Sequence, residues 1–405
     1  MIVTRIETLR VGGFPNLLWV RIHTDEGPVG LGETFFGARA VEAYLHESVA
    51  PYLLGRDPLR IDAHARALTG YVGYRSTGVE MRGNSAVDIA LWDLFGKVTG
   101  QPLYQLLGGA SRDRIRIYNT CAGYRYVRAE PKQAVDNWGL PEETAEASEG
   151  PYEDLDAFLH RADELALSLR AQGITGMKIW PFDPYAEASN GQDISTADLN
   201  RALEPFRKIR EAVGDEMDVM VEFHSLWNLP TARRIAAALE EFKPYWFEDP
   251  LRADNLDALA AFAAGTRVPV TISETLATRW SFREAFSAGA AGIAMLDLGW
   301  CGGVGEAKKI ATMAEAHQLP VAPHDCTGPI VLTASTHLSI NLPNALIQET
   351  VRAYYHGWYR ELVTGLPPID GGFIAAPTGP GLGVELLPEL WERADAAVRE
   401  SVLGG

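Results

Sequence analysis

The sequence has little cysteine and no long apolar run. Among its 405 residues only three are cysteines, Cys121, Cys301 and Cys326, and no two of them have CxxC spacing. This scarcity argues against a disulfide framework and against a metal site built from cysteines. No apolar stretch approaches the roughly 20 residues that span a bilayer, and residues 1–13 lack the hydrophobic region of a signal peptide. We therefore expect a cytoplasmic protein without a membrane partner.

Positive charge is also scarce. The chain carries 36 Lys and Arg against 53 Asp and Glu, which gives a net charge of −17. A surface that binds nucleic acid needs clustered Lys and Arg, so we expect no nucleic-acid partner. The hydrophobic share of 47% is ordinary for a globular protein, and the length predicts one large domain accompanied by a smaller one.

Residues 1–112 are predicted to form the smaller domain, of the α+β class. Alternating apolar residues near its start indicate strands joined by a glycine-bearing turn. From about residue 40 to residue 100, apolar residues recur every three to four positions, which predicts helices. The last of these helices is expected to begin at a cap, Asn84 or Ser85, and to end at Gly96.

A different pattern follows in residues 113–364. Eight short, nearly continuous apolar runs, each with a polar or charged residue at or near its end, alternate with helical stretches of about 10–15 residues, which is typical of parallel strands covered by helices. The runs are IRIYNTCA (115–122), GITGMKIW (173–180), DVMVEFH (218–224), YWFEDP (245–250), VPVTISET (268–275), GIAMLDL (292–298), LPVAPHD (319–325) and ALIQET (345–350). Eight of them predict a (β/α)₈ barrel. The alternative is an open doubly wound sheet, although no glycine-rich phosphate turn follows the first strand.

Two segments interrupt or follow this alternation. Residues 125–154 are polar and rich in Pro, Gly and Glu, which predicts a long surface insertion that could act as a lid. Residues 365–405 contain the loop sequence APTGPGLG, and after it we expect one last amphipathic helix.

Three successive apolar runs carry a glutamate near the expected end of the strand. Glu248 follows Glu222 by 26 residues and Glu274 follows Glu248 by 26 residues, a spacing of about one β/α unit. In a barrel this spacing places three carboxylates side by side at the C-terminal mouth, where active sites of the fold lie. Any one of them alone could simply begin a solvated loop. Three oxygen donors at equivalent strand ends favour a hard divalent cation, Mg²⁺.

Two histidines have a similar placement. His324 lies near the end of the seventh run and Asp297 near the end of the sixth. A carboxylate beside a histidine raises its basicity, as a general base requires. His224 lies two residues past Glu222, so alternation along a strand would point both side chains to the same side. A lone histidine is more often structural, but the shared position at strand ends favours catalytic roles for His324 and His224.

Lys178 and Glu349 lie near the ends of the second and eighth runs. An ammonium at this position can face a substrate carboxylate or stabilise an enolate, and Glu349 could hydrogen-bond that same carboxylate. Either residue alone could be a solvated charge. With a metal and a histidine base, the set predicts removal of a proton α to a carboxylate.

Several motifs resemble the enolase superfamily in its mandelate racemase-like branch. They occur in order along the chain as SAVDIALWDLFGK with QPLYQLLGG, FEDP, SET, MLDLGWCGG, APHDCTGP and APTGPGLG. The resemblance implies that the three glutamates bind Mg²⁺ and that His324 and Asp297 form a His–Asp dyad. It also implies that Glu349 is the eighth-strand acid and that residues 365–405 complete a capping domain with residues 1–112.

The sequence departs from the racemases of this branch at the second strand. They carry Lys-x-Lys there, with the second lysine as a base on one face of the substrate, whereas here Trp180 follows Lys178 at that spacing. Racemisation needs acid/base groups on both faces and is therefore disfavoured. His224, two residues after Glu222, is similar to a histidine of the galactonate and mannonate dehydratases that protonates the leaving hydroxide, although the metal ligand there is Asp.

We therefore predict a carbon–oxygen lyase that dehydrates an acid sugar, an aldonate or aldarate, to a 2-keto-3-deoxy acid with Mg²⁺ as cofactor. Substrate-binding residues are expected to include Trp180, Phe36, Tyr74 and Arg75, and the protein is expected to be a homo-oligomer. The alternatives are an epimerase, racemase or cycloisomerase of the same superfamily, and a barrel that only binds a ligand.

Overall fold

The computed structural model describes residues 1–70, 77–128 and 152–405, so most of the insertion predicted at 125–154 lies outside the described residues. The strands within them are β1 (Val3–Val11), β2 (Leu17–Thr24), β3 (Val29–Phe35), β4 (Ile115–Thr120), β5 (Gly176–Ile179), β6 (Asp218–Glu222), β7 (Trp246–Glu248), β8 (Val270–Ile272), β9 (Ile293–Leu296), β10 (Val321–Pro323), β11 (Gln348–Thr350), β12 (Ile369–Asp370), β13 (Phe373–Ile374) and β14 (Ala396–Val402). The α-helices are α1 (Ala38–Tyr44), α2 (Ala50–Leu53), α3 (Ile61–Thr69), α4 (Val79–Thr99), α5 (Leu103–Leu106), α6 (Asp154–His160), α7 (Ala162–Ala171), α8 (Asp183–Ser189), α9 (Thr196–Ala202), α10 (Glu204–Val213), α11 (Leu229–Leu239), α12 (Leu256–Ala263), α13 (Thr278–Ala288), α14 (Gly303–Ala316), α15 (Pro329–Asn341) and α16 (Arg352–Tyr355). In this part of the chain no helix has the length and apolar character needed to cross a membrane.

Strands β4 to β11 form a closed parallel barrel. They are neighbours in sequence order from β4 to β10, and β11 pairs with β4. The segment entering β11 joins β10 through a parallel bridge between Val321 and Ala345 and a 2.8 Å hydrogen bond from the Leu346 N–H to the Val321 carbonyl oxygen. Each predicted run contains one of these strands, so the (β/α)₈ barrel is confirmed and the open-sheet alternative is wrong.

The interior of the barrel is packed. Tyr118 on β4 and Trp246 on β7 are not on neighbouring strands, yet their ring centroids are 5.1 Å apart, so this contact crosses the barrel. The buried cluster around them also contains Met220, Ile293, Met295, Ala322 and Ile347. A filled interior leaves the C-terminal ends of the strands as the place for a substrate.

The capping layer is a four-stranded antiparallel sheet in the order β14-β1-β2-β3, covered by α4. Two glycines of β3 allow this helix to lie directly on the strand. A Cβ at Gly30 would collide with the carbonyl oxygen of Ala90, and one at Gly32 with that of Ala86. The alternation of glycine with larger residues in VGLGE therefore has a packing cause.

Helix α4 is longer than predicted. It begins at Val79, more than one turn before the expected caps, Asn84 and Ser85, which are buried inside it. It ends before Gly100, which has a left-handed backbone (φ 68°), and not at Gly96. Both predicted ends are wrong because packing against β3 extends the helix through these residues, and the space beside Gly96 is filled by backbone of the C-terminal tail.

The last amphipathic helix predicted within residues 365–405 is also wrong. The chain end forms β14, which pairs antiparallel with β1 from Arg5 opposite Val402 to Val11 opposite Ala396. The outer edge of β1 has backbone groups that need partners, and a strand satisfies them whereas a helix would not. Pairing of the backbone groups of β1 with the tail therefore outweighs the helical periodicity of the tail sequence.

The capping sheet contacts the barrel through the end of β3. Buried Glu33 accepts hydrogen bonds from the N–H groups of Ile330 (3.1 Å) and Val331 (2.9 Å) in the first turn of α15, where a helix favours negative charge. The Thr34 hydroxyl donates to the Gly299 carbonyl oxygen at 2.8 Å. These bonds hold the end of β3 against the loops that follow β9 and β10.

Candidate active site

The predicted site residues lie at the carboxyl ends of the barrel strands. In chain order they are Lys178 in β5, Glu222 at the end of β6, His224 just after it, Glu248 at the end of β7, Glu274 after β8, Asp297 after β9, His324 after β10 and Glu349 in β11. Six of them line one cleft, and the other two, Glu248 and Asp297, are fully buried beside it.

Lys178 is the cation among the buried carboxylates. Its Nζ lies 2.5 Å from Glu248 Oε1 and 2.9 Å from Glu349 Oε1, and it is 3.6 Å from Glu222 Oε2. Burial alone would lower the pKa of Lys178, but the charges of Glu248 and Glu349 raise it well above its ordinary value. The lysine is therefore a fixed positive charge at the base of the cleft.

Glu222 and Glu248 are buried carboxyl groups that lie close together. They stand opposite each other on neighbouring strands and are hydrogen bonded to each other. Burial raises the pKa of Glu222 to about 7, and burial together with the charge of Glu222 raises that of Glu248 well above its usual range. Glu274 is also buried, and among the described residues no hydrogen-bond partner is available to its Oε2.

These carboxylates have the chemistry of a site for a hard divalent cation, because Mg²⁺ prefers oxygen donors. In the described part of the chain, however, no three His, Cys, Asp or Glu side chains stand in a geometry that already holds a metal ion. Instead, the Lys178 ammonium contacts both glutamates, at 3.6 Å from Glu222 Oε2 and 2.5 Å from Glu248 Oε1. Binding of a cation would require these two glutamates to give up part of their contact with Lys178.

His324 is held by Asp297. Its Nδ1 is 2.8 Å from Asp297 Oδ2, and the other oxygen of Asp297 accepts the Gly299 N–H at 2.7 Å. Burial disfavours a charged imidazole, but the carboxylates of Glu349 and Asp297 outweigh it and raise the pKa of His324 to about 9. With Nδ1 engaged by the aspartate, Nε2 is the nitrogen left to exchange a proton with a substrate.

His224 is held in the same way by a residue that the sequence did not indicate. Its Nδ1 is 2.6 Å from Asp183 Oδ2 at the start of α8, and burial raises the pKa of Asp183. The alternation argument for this histidine is wrong, because β6 ends at Glu222 and His224 has a left-handed backbone (φ 49°). Its N–H donates to Glu222 Oε1 at 2.6 Å, which fixes the turn that brings the imidazole to the cleft.

Aromatic side chains form the walls of the cleft. Trp180 lies against His224 with ring centroids 5.6 Å apart. Trp300 lies against His324 at 5.5 Å, and Phe36 lies against Trp300 at 5.9 Å. Each of the two histidines is thus in contact with an indole ring. Phe36, which follows β3, is the contribution of the capping domain to the wall of the cleft.

Two of the predicted substrate-binding residues, Tyr74 and Arg75, lie outside the described residues. Asp183 and Trp300 were not among the residues predicted from the sequence. Trp300 stands in the motif MLDLGWCGG, three residues after Asp297, and that motif could have indicated it. Asp183 has no comparable spacing signal, because only the fold brings α8 beside the loop after β6.

The fold and the site together define a (β/α)₈-barrel enzyme with an α+β capping domain and a proton-transfer cleft at the C-terminal mouth. The family model for the mandelate racemase/muconate lactonizing enzyme N-terminal domain matches residues 13–108, and the Enolase C-terminal domain-like model matches residues 160–390. The chain belongs to the mandelate racemase/muconate lactonizing enzyme family of the enolase superfamily.

Characterised relatives match along the full length. The chain is 33% identical to a D-galactonate dehydratase of Verminephrobacter eiseniae and 31% identical to one of Ralstonia nicotianae, in both cases over 99% of this chain and 100% of the relative. It is 54% identical to an enolase of the mandelate racemase subgroup from Agrobacterium tumefaciens, whose crystal structure superposes with a TM-score of 0.88 over 99% of both chains. The chain is therefore an enzyme of the hydro-lyase class.

Proposed function

We propose that the enzyme dehydrates an acid sugar to a 2-keto-3-deoxy acid. The observation that carries the proposal is the pair of histidines at one cleft, each with its Nδ1 bonded to a buried aspartate. One histidine is needed to remove the α-proton and another to protonate the departing β-hydroxyl. The D-galactonate dehydratases, 30–33% identical over the full chain, support the same reaction type.

The α-proton goes to Nε2 of His324. The imidazole must be neutral to accept it, and Asp297 then stabilises the imidazolium that forms. As the C–H bond breaks, negative charge moves onto the oxygens of the substrate carboxylate. Lys178, whose ammonium is fixed among the carboxylates, donates to this carboxylate and stabilises that charge.

Glu222, Glu248 and Glu274 are the residues that would hold Mg²⁺. When bound, the cation would polarise the substrate carboxylate and make the α-proton more acidic. The donor chemistry supports this assignment, since all three groups are carboxylates and Glu274 Oε2 is buried without a described hydrogen-bond partner.

The β-hydroxyl leaves with a proton from Nε2 of His224. The C–O bond breaks, its electron pair stays with the oxygen, and the proton converts the hydroxide to water. The resulting enol takes up a proton at carbon and tautomerises to the 2-keto acid. Asp183 positions the imidazole and balances its charge while it carries this proton.

The test separates the two proton transfers by isotope exchange. His324→Asn should abolish both dehydration and washing of deuterium from D₂O into the α-position. His224→Asn should slow dehydration by about 10²–10⁴-fold, the usual contribution of a general acid, while α-exchange catalysed by His324 survives. Asp183→Asn should impair the same step more mildly, because the imidazole stays in place but loses its orientation.

Two results would contradict the assignment. Exchange that persists in His324→Asn would mean that another residue is the base. Exchange without keto-acid formation in the wild type, across a set of aldonic and aldaric acids, would identify an epimerase that uses the two histidines on the two substrate faces.

A further inference from the structure

Arg82 is a cation beside the cleft to which the proposed reaction assigns no role. It lies in the first turns of α4, on the capping domain. Its guanidinium carbon is 5.1 Å from the ring centroid of Trp300 and 5.7 Å from that of Phe36. Both rings line the cleft, and Trp300 is the ring that lies against His324.

Two other buried cations, Lys178 and Arg352, have carboxylate partners, whereas Arg82 forms no ion pair with the described residues. Lys178 is paired with Glu248 and Glu349, and Arg352 with Asp154 at 2.6 Å. The Arg82 guanidinium makes no ion pair and no hydrogen bond within the described ranges, and its Nε is buried without a partner there. Burial accordingly lowers its pKa.

An unpaired, partly buried charge reduces stability. A guanidinium without an ion-pair partner among the described residues is available to an anion that arrives with the substrate. The substrate carboxylate next to the α-carbon is already bound, in the proposed reaction, by Lys178 and the cation. The anion that Arg82 would meet must therefore be a second one, on the capping side of the cleft.

The dimensions suit a six-carbon chain. With the α-carbon at His324, four C–C bonds of about 1.5 Å place a distal carboxylate roughly 5 Å away. The ring centroids of His324 and Trp300 are 5.5 Å apart, and the guanidinium carbon is 5.1 Å from the Trp300 centroid, so a carboxylate roughly 5 Å from the α-carbon would lie between His324 and Arg82. The distal end of an extended acid sugar would lie at the edge of Trp300, within reach of the long arginine side chain.

We propose that Arg82 binds the distal carboxylate of the substrate, so that the enzyme acts on an aldarate and not on an aldonate. This inference rests on the proposed function only for the class of compound. The terminal hydroxyl of an aldonate cannot neutralise a guanidinium, whereas a carboxylate accepts two parallel N–H bonds from it.

The experiment measures binding apart from turnover. Calorimetry would compare a six-carbon aldarate with the aldonate of the same configuration, at saturating Mg²⁺, on a His324→Asn background that prevents reaction. We expect the aldarate to bind more tightly. Arg82→Gln should weaken aldarate binding by about 10–150-fold, as expected for hydrogen bonds to a charged group, and aldonate binding by less than about threefold. Arg82→Lys should recover only part of the loss, because lysine lacks the bidentate fork.

Arg21→Gln is the matched control, since Arg21 also lies over an indole, 4.8 Å from Trp391, but away from the cleft. It should leave both affinities unchanged. Thermal unfolding adds a second readout. Arg82→Gln should retain or raise the melting temperature, because no ion pair is lost, whereas a structural arginine would lower it.

Equal weakening of both acids in Arg82→Gln, or a fall in melting temperature that Arg82→Lys restores, would show that Arg82 only supports the aromatic wall and would overturn the proposal. Equal or tighter binding of the aldonate by the parent would overturn it as well. If the aldarate preference depends on Arg82 but the enzyme with His324 intact forms no keto acid from either compound, the anion site stands and the dehydratase proposal fails.

Discussion

At the scale of single residues, the two cleft histidines differ in the charges around them. His324 faces Glu349, Asp297 and Glu274, and their charges together hold its pKa at about 9 in spite of burial. His224 has one direct carboxylate partner, Asp183. The negative charges around His324 make its imidazole bind a proton strongly, which favours the acceptance of a proton from carbon.

The first prediction concerns the pH dependence of this base. His324 is active when neutral, so kcat/KM should rise as pH increases through its pKa. Asp297→Asn removes both a hydrogen bond and a charge that raise that pKa, so the rising limb should move to lower pH. The maximal rate should fall by about 10–100-fold, as for other residues that orient a catalytic imidazole.

The measurement is the pH–rate profile of the variant against wild type. Asp183→Asn serves as the control, since it should reduce the rate without moving the limb attributed to His324. A limb at the same pH in Asp297→Asn and wild type would show that another group governs it.

At the scale of elements, the position of α4 decides where the capping domain meets the cleft. The helix lies on β3 so closely that a side chain at Gly32 would collide with the carbonyl oxygen of Ala86. The end of the same strand carries Glu33, which binds the first turn of α15, and continues into Phe36 at the cleft wall. Packing of one helix on one strand therefore sets the wall of the site.

The second prediction tests that packing. Gly32→Ala should destabilise the protein by about 1–3 kcal/mol or more, because overpacking forces the helix or the strand to shift. Denaturant unfolding followed by circular dichroism would measure the change. Gly365→Ala is the control, because no atom lies within 4 Å of a Cβ at that position. Equal stability of Gly32→Ala and wild type would mean that α4 can move away from β3 without cost.

At the scale of the whole molecule, negative charge is concentrated where the barrel strands end. The chain has a net charge of −17, and Glu222, Glu248 and Asp249 are buried near one another, with pKa values raised by burial and by the charges of neighbouring carboxylates, which include Glu274. Unfolding would separate these carboxyl groups and return them to water, so their burial at the mouth of the barrel lowers the free energy of unfolding. A bound cation would offset that loss of stability only in the folded protein.

The third prediction follows from this linkage. Mg²⁺ at one hundred times its dissociation constant should stabilise the folded protein by about 2.7 kcal/mol, and EDTA should reverse the shift in melting temperature. Glu274→Gln should reduce the shift, because an amide is a poorer ligand for a hard cation than a carboxylate. Glu315→Gln, an exposed change on α14, is the control. A full Mg²⁺ shift in Glu274→Gln would exclude that residue as a ligand.

Much of the barrel and the site was predictable because both depend on local patterns. An apolar run followed by a polar residue describes a buried strand and its end, and parallel strands share one edge. Lys178, Glu222 and His324 could therefore be placed together without knowledge of how the helices pack. The strands of the capping sheet had the same kind of signal, the alternation of apolar and polar residues.

What only the tertiary structure decided depends on groups that are distant in the chain. Asp183 meets His224 because α8 folds back over the end of β6, and β14 forms because β1 presents an edge that needs hydrogen-bond partners. Arg82 appears in the sequence as one more charge on a helix. Its lack of a partner is a property of its surroundings, and these exist only when α4 lies against the mouth of the barrel. Local sequence determines which groups a segment offers, whereas desolvation and pairing depend on which other segments fold against it.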